Sequence, residues 1–533
     1  MQPASFTNHL LILHKTTTRQ RFIQRSLLIL FLLTLFLTLG AARTAAAGPP
    51  TVTPDFAAID AYVAAEIHEQ RIPGLALGIV HGNEIIHLKG FGSADPTGAP
   101  VTAQTAFSIG SLTKSFTAVA IMQLVEAGQL ELDAPVQRYL PWFRVADPAA
   151  SASITLRHLL NHSSGLPRDF ETADADTLDQ DANALEQRLR SLSTVELEQP
   201  LGSYGYSNVG YQALALIIQA VSGQSYEDYL RQHIFAPLDM RQSFATLSEA
   251  AQHPIAAGYH YWFGLPVAAG LPAYRVGPGN GGLFSSAEDM AHYLIAHLNQ
   301  GRFGTATLLS PAGIAELHRP AVPRPDGAYA MGWSVKTVDG VTVVAHSGQT
   351  YNYMGKMMLM PESQWGVVVL QNSQYMVKIV TGDHSQDVIA DGVAAMLLGR
   401  QPPARTTSFL PLLAYGVLFL TLLVQLTFII RSIMQFRRWQ RLPERQPHGR
   451  RRLLWHAALP LIVNLVWALL VLLGLPATNN LTMLSYQIPD FTYVLLVSGV
   501  IALLWGIVRT IWVYRILHRP SAANADMVAI VQG

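Results

Sequence analysis

The stretch Phe107-Ser-Ile-Gly-Ser-Leu-Thr-Lys114 opens an apolar run that predicts a helix from Ser111 to Ala127. Residues three apart on a helix share a face, so this spacing places the Lys114 amine beside the Ser111 hydroxyl. An adjacent amine can turn a weak alcohol into a nucleophile. Of the six lysines in the chain, only Lys114 has a serine three residues before it.

The composition indicates a membrane protein with more than one structural unit. Its 533 residues exceed one ordinary core, and 50% hydrophobic against 13% charged residues is unusual for a wholly soluble protein. A formal net charge of +1 argues against a nucleic-acid partner. The chain has no cysteine, which excludes disulfides, thiolate metal sites and cysteine nucleophiles. No histidine–acid spacing suggests a metal site, so we expect neither a metal nor a cofactor.

Residues 1–48 have the layout of a secretory signal peptide. Lys15 and three arginines precede a nearly continuous apolar run from Leu27 to Leu39, and Ala45-Ala46-Ala47 then provides a small-residue cleavage site. The basic stretch is long for a signal peptide, so an uncleaved signal anchor is the alternative. A buried core helix fits poorly, because basic residues precede the apolar run and small residues follow it.

Three further apolar runs, 409–430, 453–475 and 492–513, are each long enough to cross a bilayer, which takes about 20 helical residues. The segment 431–452 is rich in arginine, whereas 476–491 contains no lysine or arginine. The positive-inside rule therefore predicts a cytoplasmic 431–452 loop, an external 476–491 loop and a cytoplasmic tail at 514–533. Residues 49–400, joined by a linker at 401–408, are then extracytoplasmic in a multi-pass protein of the cell membrane, with membrane lipid as a partner.

Two polar side chains interrupt these apolar runs, Gln425 in the first and Asn464 in the second. A transport function would instead predict ionisable groups at mid-depth of the membrane. We therefore expect Gln425 and Asn464 to form hydrogen bonds between helices.

The pattern of residues 49–400 predicts an α+β domain. Helical spacing follows Pro54 and returns at Gln386–Leu398, while β-prone runs lie near both ends of the segment. The predicted strands are Leu75–Val80, Glu84–Leu88, Tyr329–Val338, Val341–His346, Met354–Met360 and Trp365–Gln371. Gly82-Asn83 and Asp339-Gly340 are turn signals that join neighbouring strands into hairpins. Strands at both ends with helices between them favour one antiparallel sheet with a separate helical part.

Three short motifs follow one another in this domain: Ser111-Leu-Thr-Lys114, Tyr206-Ser-Asn208 and His346-Ser-Gly348. Each alone is weak evidence, since a serine three residues before a lysine arises by chance about once or twice in a chain this long. The three motifs in order, with the last at the end of a predicted strand, are much stronger evidence than any one of them.

These motifs, together with Leu156–Pro167, Gly281–Asp289 and Tyr329–Trp333, resemble the serine β-lactamase and penicillin-binding-protein family in its class C β-lactamase, D-aminopeptidase and esterase branch. The resemblance covers roughly residues 54–400, about two thirds of the chain. It implies a β-lactamase-like antiparallel sheet flanked by helices, with a helical subdomain. In this chain a three-helix transmembrane region is expected to follow.

The resemblance also implies a role for each motif residue. Ser111 is expected to be the nucleophile, with Lys114 and Tyr206 sharing the acid and base work. Asn208 is expected to hold the substrate amide and to orient Lys114. His346 is expected to complete the hydrogen-bond network around Tyr206.

The strand end that carries the third motif is expected to contact the substrate. The backbone N–H groups of Ser111 and Gln349 would form an oxyanion hole. Ser347, Gly348 and Asn352 are the candidate substrate-binding residues at this strand end.

His346 departs from the lysine that most true β-lactamases and transpeptidases of this family carry. A fixed cation there helps to bind the carboxylate of penicillins and of D-Ala-D-Ala ends, so a neutral histidine favours amidase, D-aminopeptidase or esterase activity. We predict a membrane-anchored serine hydrolase that forms an acyl-enzyme on Ser111, with a small-molecule or peptide substrate carrying an amide or ester. The alternatives are a penicillin-binding DD-peptidase or β-lactamase, and a non-enzymatic membrane sensor that is acylated or binds a ligand.

Overall fold

The computed structural model describes residues 54–169, 183–270, 277–382, 384–404, 408–442, 454–474 and 481–517. The predicted signal segment at 1–48 lies outside the described residues, as do parts of the 431–452 loop and of the 514–533 tail. The boundaries assigned to these segments stay predictions.

An antiparallel sheet of eight strands forms the centre of residues 54–404, in the order β2-β1-β14-β13-β12-β11-β10-β9, which confirms the α+β prediction. β15 joins β4 and β5 in a smaller sheet, and β3–β6 and β7–β8 are two-stranded pairs. The strands are β1 (Gly74–His81), β2 (Glu84–Gly92), β3 (Phe107–Ser108), β4 (Gly258–Trp262), β5 (Leu265–Ala269), β6 (Phe284–Ser285), β7 (Arg302–Phe303), β8 (Ala306–Thr307), β9 (Val322–Arg324), β10 (Gly327–Tyr329), β11 (Ser334–Val338), β12 (Val341–Gln349), β13 (Met354–Met360), β14 (Trp365–Gln371) and β15 (Ser373–Gln374).

The predicted hairpin turns are confirmed. Asp339 and Gly340 join β11 to β12 with positive φ angles of 49° and 81°, as a two-residue turn between antiparallel strands requires. Gly82, with φ of 58°, joins β1 to β2. The predicted strands that became β13 and β14 have the bounds expected from the sequence.

One predicted strand, Tyr329–Val338, is wrong because the chain leaves the sheet between β10 and β11. Gly332 has φ of 78°, and a Cβ atom there would lie 2.9 Å from the carbonyl oxygen of Lys114. The chain bends here to pack against the backbone beside Lys114, so the run divides into two short strands.

Helices cover both faces of the sheet, and most of them form a separate helical part. An aspartate N-cap begins the first of them, since the Asp55 side chain accepts a hydrogen bond from the Ala58 N–H at 3.0 Å. The helices before residue 404 are α1 (Phe56–Gln70), α2 (Thr113–Glu126), α3 (Pro148–Ser153), α4 (Leu156–Leu160), α5 (Ala184–Arg190), α6 (Asn208–Ser222), α7 (Tyr226–Leu230), α8 (Leu247–Ala250), α9 (Ala287–Leu298), α10 (Pro311–His318), α11 (Met376–Val380) and α12 (Ser385–Leu397).

The two faces of the sheet belong to two apolar cores. One core joins Ile59 of α1 and Ile389 of α12 to the strands beneath them. The other joins Leu112, Phe116 of α2 and Leu294 of α9 to the opposite face. Because side chains alternate between faces along a strand, neighbouring residues of β12 point into different environments.

The predicted helix at Ser111 begins as a 3-10 turn, Gly110–Leu112, and becomes the α-helix α2 at Thr113. Such turns are common at the start of α-helices, and they tighten the first turn. Ser111 therefore lies at the N-terminal end of one continuous helical segment, with Lys114 in the following turn.

After residue 404 the chain forms α13 (Leu410–Arg441), α14 (Leu459–Leu472), α15 (Leu481–Gln487) and α16 (Pro489–Leu517). Only α13 and α16, among the described residues, are long and apolar enough to cross a membrane. The predicted three-helix transmembrane region is wrong in number. The middle run begins as a π-helical turn, Leu454–Ala458, just before Pro460. The regular α-helix that follows has only 14 residues, or about 21 Å.

The two polar residues of these runs behave differently. Gln425 on α13 donates from Nε2 to the carbonyl oxygen of Ser498 on α16 at 2.9 Å, as expected for a bond between helices. Asn464 donates from Nδ2 to the carbonyl oxygen of Pro460 at 2.7 Å, within its own apolar segment. The prediction of an interhelical bond is therefore confirmed for Gln425 and wrong for Asn464.

Candidate active site

Ser111 and Lys114 meet as the spacing predicts, and the second motif joins them from α6. The Lys114 Nζ atom lies 3.0 Å from Ser111 Oγ and 2.7 Å from Asn208 Oδ1. The Tyr206 hydroxyl lies 2.9 Å from the same Ser111 Oγ. A third acceptor of Lys114, the carbonyl oxygen of Asn280 at 2.7 Å, could not be anticipated because a backbone atom has no sequence signature.

The second motif is held by a helix cap. Ser207 is the N-cap of α6, and its hydroxyl bridges the Gly210 N–H and the carbonyl oxygen of Pro167. Its own N–H donates to Nδ1 of the buried His162 at 3.1 Å. This cap lies between Tyr206, which contacts Ser111, and Asn208, which contacts Lys114.

The pattern of hydrogen bonds around Lys114 fits a neutral amine. A neutral amine has two N–H donors and one lone pair, which match two carbonyl-type acceptors, Asn208 Oδ1 and Asn280 O, and the hydroxyl of Ser111. Burial lowers the pKa of Lys114 well below its usual value; the carboxylate of Asp169 opposes this shift, and Arg168 adds to it.

The ring of Tyr206, with its centroid 4.9 Å from Lys114 Nζ, would favour the charged form of the amine. That attraction is worth about 0.5–2 kcal/mol. Taking an ammonium out of water costs several kcal/mol, so burial decides the charge. Burial therefore favours the neutral amine, which is the form that can accept the proton of Ser111.

Tyr206 stays a proton donor at the same pH. Burial raises the pKa of its hydroxyl, and the hydrogen bond to Ser111 lowers it by less. A protonated phenol 2.9 Å from Ser111 Oγ is placed to give a proton to the leaving group of a substrate that this oxygen attacks.

His346 bonds to a residue other than the one expected. Its Nε2 atom lies 2.9 Å from the hydroxyl of Tyr329, and its Nδ1 lies 2.7 Å from the carbonyl oxygen of Ser347. Since a carbonyl only accepts, Nδ1 carries the hydrogen and Nε2 accepts from Tyr329. The expected network around Tyr206 is therefore corrected to a bond with Tyr329. Burial, and next the nearby Lys114, lower the pKa of His346 to about 3, so the ring is neutral.

His162 connects the two tyrosines of the site. Its ring centroid lies 4.2 Å from that of Tyr206 and 4.6 Å from that of Tyr329. Burial lowers the pKa of His162 well below its usual value, so it acts as a neutral packing and hydrogen-bonding element. Its Nδ1 atom, which accepts from the Ser207 N–H, ties the loop that carries His162 to the start of α6.

Glycines bring the strand end of the third motif against the turn that carries Ser111. A Cβ atom on Gly348 would lie 2.0 Å from the carbonyl oxygen of Ile109, and one on Gly110 would lie 2.6 Å from the backbone nitrogen of Gln349. This close approach places the backbone of Gln349 beside the Ser111 turn, as the proposed oxyanion hole requires.

The three candidate substrate-binding residues have different positions. Gly348 lies against the Ser111 turn, and Ser347 lines the cleft, where its hydroxyl donates to Asp387 at 2.8 Å. Asn352 is fully buried and donates from Nδ2 to the carbonyl oxygen of Gly270 at 3.2 Å. The expectation that Asn352 contacts the substrate is thus corrected, because its amide is used inside the wall.

A cleft of about 1330 Å³ opens at Ser111, between the helical part and strands β9 to β13 of the sheet. Tyr206, Asn208, His346 and Gln349 all line it. An exposed aspartate that sequence reasoning missed, Asp169, also lines the cleft and accepts a hydrogen bond from Asn208 Nδ2 at 2.6 Å.

The fold and the site together define the class of protein. An antiparallel sheet with helices on both faces, and a serine, lysine and tyrosine that meet at the start of a central helix, are typical of serine hydrolases of the β-lactamase fold. A family model described as Beta-lactamase matches residues 59–390, more than half of the chain. The chain belongs to the Beta-lactamase family.

Individual relatives agree with this assignment. The chain is 30% identical over 337 residues to "Protein flp" of Staphylococcus aureus (strain MW2), which covers 62% of this chain and 66% of that protein. It therefore spans slightly less than two thirds of the length of that curated relative.

Two solved structures have the same fold. The octameric penicillin-binding protein homologue from Pyrococcus abyssi is 28% identical, with a TM-score of 0.56 over 65% of this chain and 78% of that one. A class C beta lactamase from Rhodobacter sphaeroides is 25% identical, with a TM-score of 0.53 over 64% of this chain and 98% of that one. The family match ends at residue 390, before the C-terminal helices.

Proposed function

We propose that this protein is a hydrolase that forms an acyl-enzyme on Ser111 and releases it with water. The observation that carries the proposal is the convergence of the buried Lys114 amine and the Tyr206 hydroxyl on one oxygen, Ser111 Oγ, at 3.0 and 2.9 Å. The substrate is a small molecule or peptide that carries an amide or an ester.

In the acylation step, Ser111 Oγ attacks the substrate carbonyl carbon while its proton moves to Lys114 Nζ. The N–H groups of Ser111 and Gln349 stabilise the oxyanion. The bond to the leaving group then breaks, and the leaving group takes a proton from Tyr206, which regains one from the Lys114 ammonium. Water next attacks the acyl carbon and gives one proton to the neutral Lys114 amine. The bond to Oγ then breaks, Ser111 Oγ takes that proton from Lys114, and the acid product leaves.

Amidase, peptidase or esterase activity is favoured over β-lactam hydrolysis or DD-peptidase activity. The ring of His346 is buried and neutral, with its pKa lowered to about 3 by burial and by Lys114. It offers no fixed positive charge to the carboxylate of a penicillin or of a peptide C-terminus.

We further propose that α13 and α16 anchor the hydrolase domain to the cell membrane, with the active site outside the cytoplasm. Their 32 and 29 residues correspond to about 48 and 44 Å of helix. The side chains of α13 are largely exposed, among them Leu412 at 77% and Phe419 at 67%. The arginine-rich segment 431–452, which begins within α13 and continues beyond Arg441, supports the orientation.

The hydrolase proposal is tested with a fluorophosphonate probe on the full-length protein in detergent. The wild type should be labelled and should turn over a chromogenic ester, and Ser111→Ala should lose both. Unchanged labelling of Ser111→Ala would show that another nucleophile reacts. Stable labelling of Ser111 by a chromogenic or fluorescent acyl donor without turnover would favour the acylated-sensor alternative, and rapid turnover of penicillins would favour the β-lactamase alternative.

The absence of cysteine from the chain allows a direct test of orientation. Single cysteines introduced at Ser363, in the hydrolase domain, and at Arg445, in the arginine-rich loop, are exposed to a membrane-impermeant maleimide on intact cells. Labelling at 363 and protection at 445 is the expected result. The reverse pattern, or equal labelling, would refute the proposed topology.

A further inference from the structure

The face of β12 opposite His346 carries a second charged cluster that the reaction does not use. Ser347 pairs with Lys356 of β13 across the sheet, and both side chains lie beside α12. Lys356 Nζ lies 3.1 Å from Asp387 Oδ1 and 2.7 Å from Asp391 Oδ1, two carboxylates one turn apart on that helix. Ser347, Lys356 and both aspartates line the same cleft as Ser111.

This cluster has one more negative than positive charge. The Lys356 side chain is only 5% exposed, whereas those of Asp387 and Asp391 are 33% and 35% exposed, so the unneutralised charge faces the cleft. Burial works to raise the pKa of Asp387, but the Lys356 ammonium and the Ser347 hydroxyl outweigh it, and the pKa lies below its usual value. Asp387 is therefore a carboxylate at neutral pH.

Three buried residues that line the same cleft carry polar atoms without a partner. Gln386 and Gln374 are each 2% exposed, and Thr350 is 9% exposed; all three line the cleft. Among the described residues, Gln386 Oε1, Thr350 Oγ1 and both amide atoms of Gln374 have no hydrogen-bond partner. Leaving such a group unpaired in the interior costs about 1–3 kcal/mol, so these atoms favour a polar partner from the cleft.

The acceptors in this part of the cleft suit a cation with several N–H donors. We propose that Asp387, Asp391, Gln386 and Thr350, here called the acidic wall, bind a protonated amine carried by the substrate. An ammonium has three donors and no acceptor, which matches carboxylate, amide and hydroxyl oxygens. A substrate carboxylate at the same place would meet like charge. The inference rests on the proposed hydrolase function and specifies the substrate of that site.

The position of Lys356 separates this site from a metal site. Its ammonium lies between the two carboxylates, where a cation shared by both would have to lie. The described residues contain no group of three or more metal-ligating side chains that could hold an ion. The additional cation is therefore placed on the exposed side of the carboxylates, in the cleft.

The test uses matched pairs of chromogenic esters with the full-length protein. In one pair the acyl chain ends in an ammonium or in a methyl group; in the other pair the leaving group carries the same difference. The wild type is expected to prefer the ammonium member of at least one pair in kcat/KM. Asp391→Asn should lower that preference about tenfold to a hundredfold, which is the usual range for a hydrogen bond to a charged group. The change should come from a lower kcat/KM for the ammonium substrate, with kcat/KM for the methyl substrate unchanged.

Asp326→Asn is the matched control, because Asp326 lines the cleft beside Arg324 and away from α12. It should leave the preference unchanged. Lys356→Gln, which removes a positive charge, should raise the preference, and thermal melting of each variant reports whether it is folded. A wild type that hydrolyses both members of each pair equally, or a preference that Asp391→Asn does not alter, would overturn the inference while leaving the hydrolase proposal intact. Loss of all Ser111-dependent turnover would instead count against the hydrolase proposal.

Discussion

Two buried lysines lie beside the same cleft, and their pKa values are shifted in opposite directions. Lys114 is fully buried among neutral acceptors, Asn208 Oδ1 and Asn280 O, and burial lowers its pKa well below the usual value. Lys356 is 4% exposed, yet two carboxylates outweigh burial and raise its pKa. The difference shows that burial decides the charge of a lysine only where no charged groups in contact with it outweigh burial.

The same difference assigns the two residues to different tasks. A neutral amine can take a proton from a serine, whereas an ammonium held by two carboxylates cannot. Lys356 instead balances part of the charge of α12 and holds that helix against β13. The different roles of Lys114 and Lys356 can be tested by catalysis, by pH dependence and by stability.

The largest effect is expected when each lysine is changed to arginine in a separate variant and the two variants are compared. Lys114→Arg should lower kcat/KM for a neutral ester by about 10²–10⁴-fold, because a guanidinium stays charged and cannot accept the Ser111 proton. Lys356→Arg, which keeps the charge between its carboxylates, should lower it by less than about tenfold. Equal losses in the two variants, measured on folded protein, would contradict the assignment of different tasks.

The second effect is a displacement of the acid limb of the pH profile. Activity requires neutral Lys114, so kcat/KM should fall about tenfold per pH unit below the lowered pKa of this amine. Asp169 raises the pKa of Lys114 and Arg168 lowers it. Asp169→Asn should therefore move the acid limb to lower pH, and Arg168→Gln should move it to higher pH. A limb near the ordinary lysine value of 10.5, or one that neither variant moves, would refute a neutral Lys114 as the base.

The smallest effect concerns stability. Lys356→Met should lower the free energy of unfolding by about 1–3 kcal/mol, less than for a fully buried ion pair because the two aspartates are partly exposed. The folded pKa of Lys356 is raised above 10.5, so its contribution is present below that pH and is lost as the pH rises through the folded pKa. The folded pKa of Asp387 is lowered below 3.8, so its contribution is present above that pH and is lost as the pH falls through the folded pKa.

Denaturant titrations at pH values between 3.8 and 10.5 should therefore show the largest difference in free energy of unfolding between wild type and Lys356→Met. Titrations in strong acid should show a smaller difference. Lys114→Met should cost less than Lys356→Met at neutral pH, because it removes no ion pair. A larger loss at Lys114 would mean that its amine contributes to stability as a charged group.

The sheet could be predicted well from the sequence where turn residues mark both strand ends. β13 and β14 have the predicted bounds, and Asp339-Gly340 forms the predicted turn. The division of Tyr329–Val338 could not be predicted, because it depends on the approach of Gly332 to the backbone of Lys114, more than 200 residues earlier in the chain. Local patterns do not contain such long-range contacts.

The site could be predicted as far as its motifs reach. The spacing of Ser111 and Lys114 on one helical face placed two of its members, and Tyr206 and Asn208 followed from the second motif. The carbonyl of Asn280 was missed because it belongs to no motif, and Tyr329 was given no role although it begins the family-like stretch Tyr329–Trp333. The one-turn spacing of Asp387 and Asp391 was visible in the sequence, but nothing local indicated that Lys356 would lie between them.

The burial of Lys114 has a consequence for when the nucleophile exists. In an unfolded chain this amine meets water, its pKa returns to the ordinary 10.5, and Ser111 is an unreactive alcohol. Ser111 of a chain that crosses a membrane before folding would thus be unreactive during the crossing and would become reactive only after the chain folds. A probe that labels Ser111 would accordingly count folded molecules, and would register a loosening of the helical part before the sheet itself unfolds.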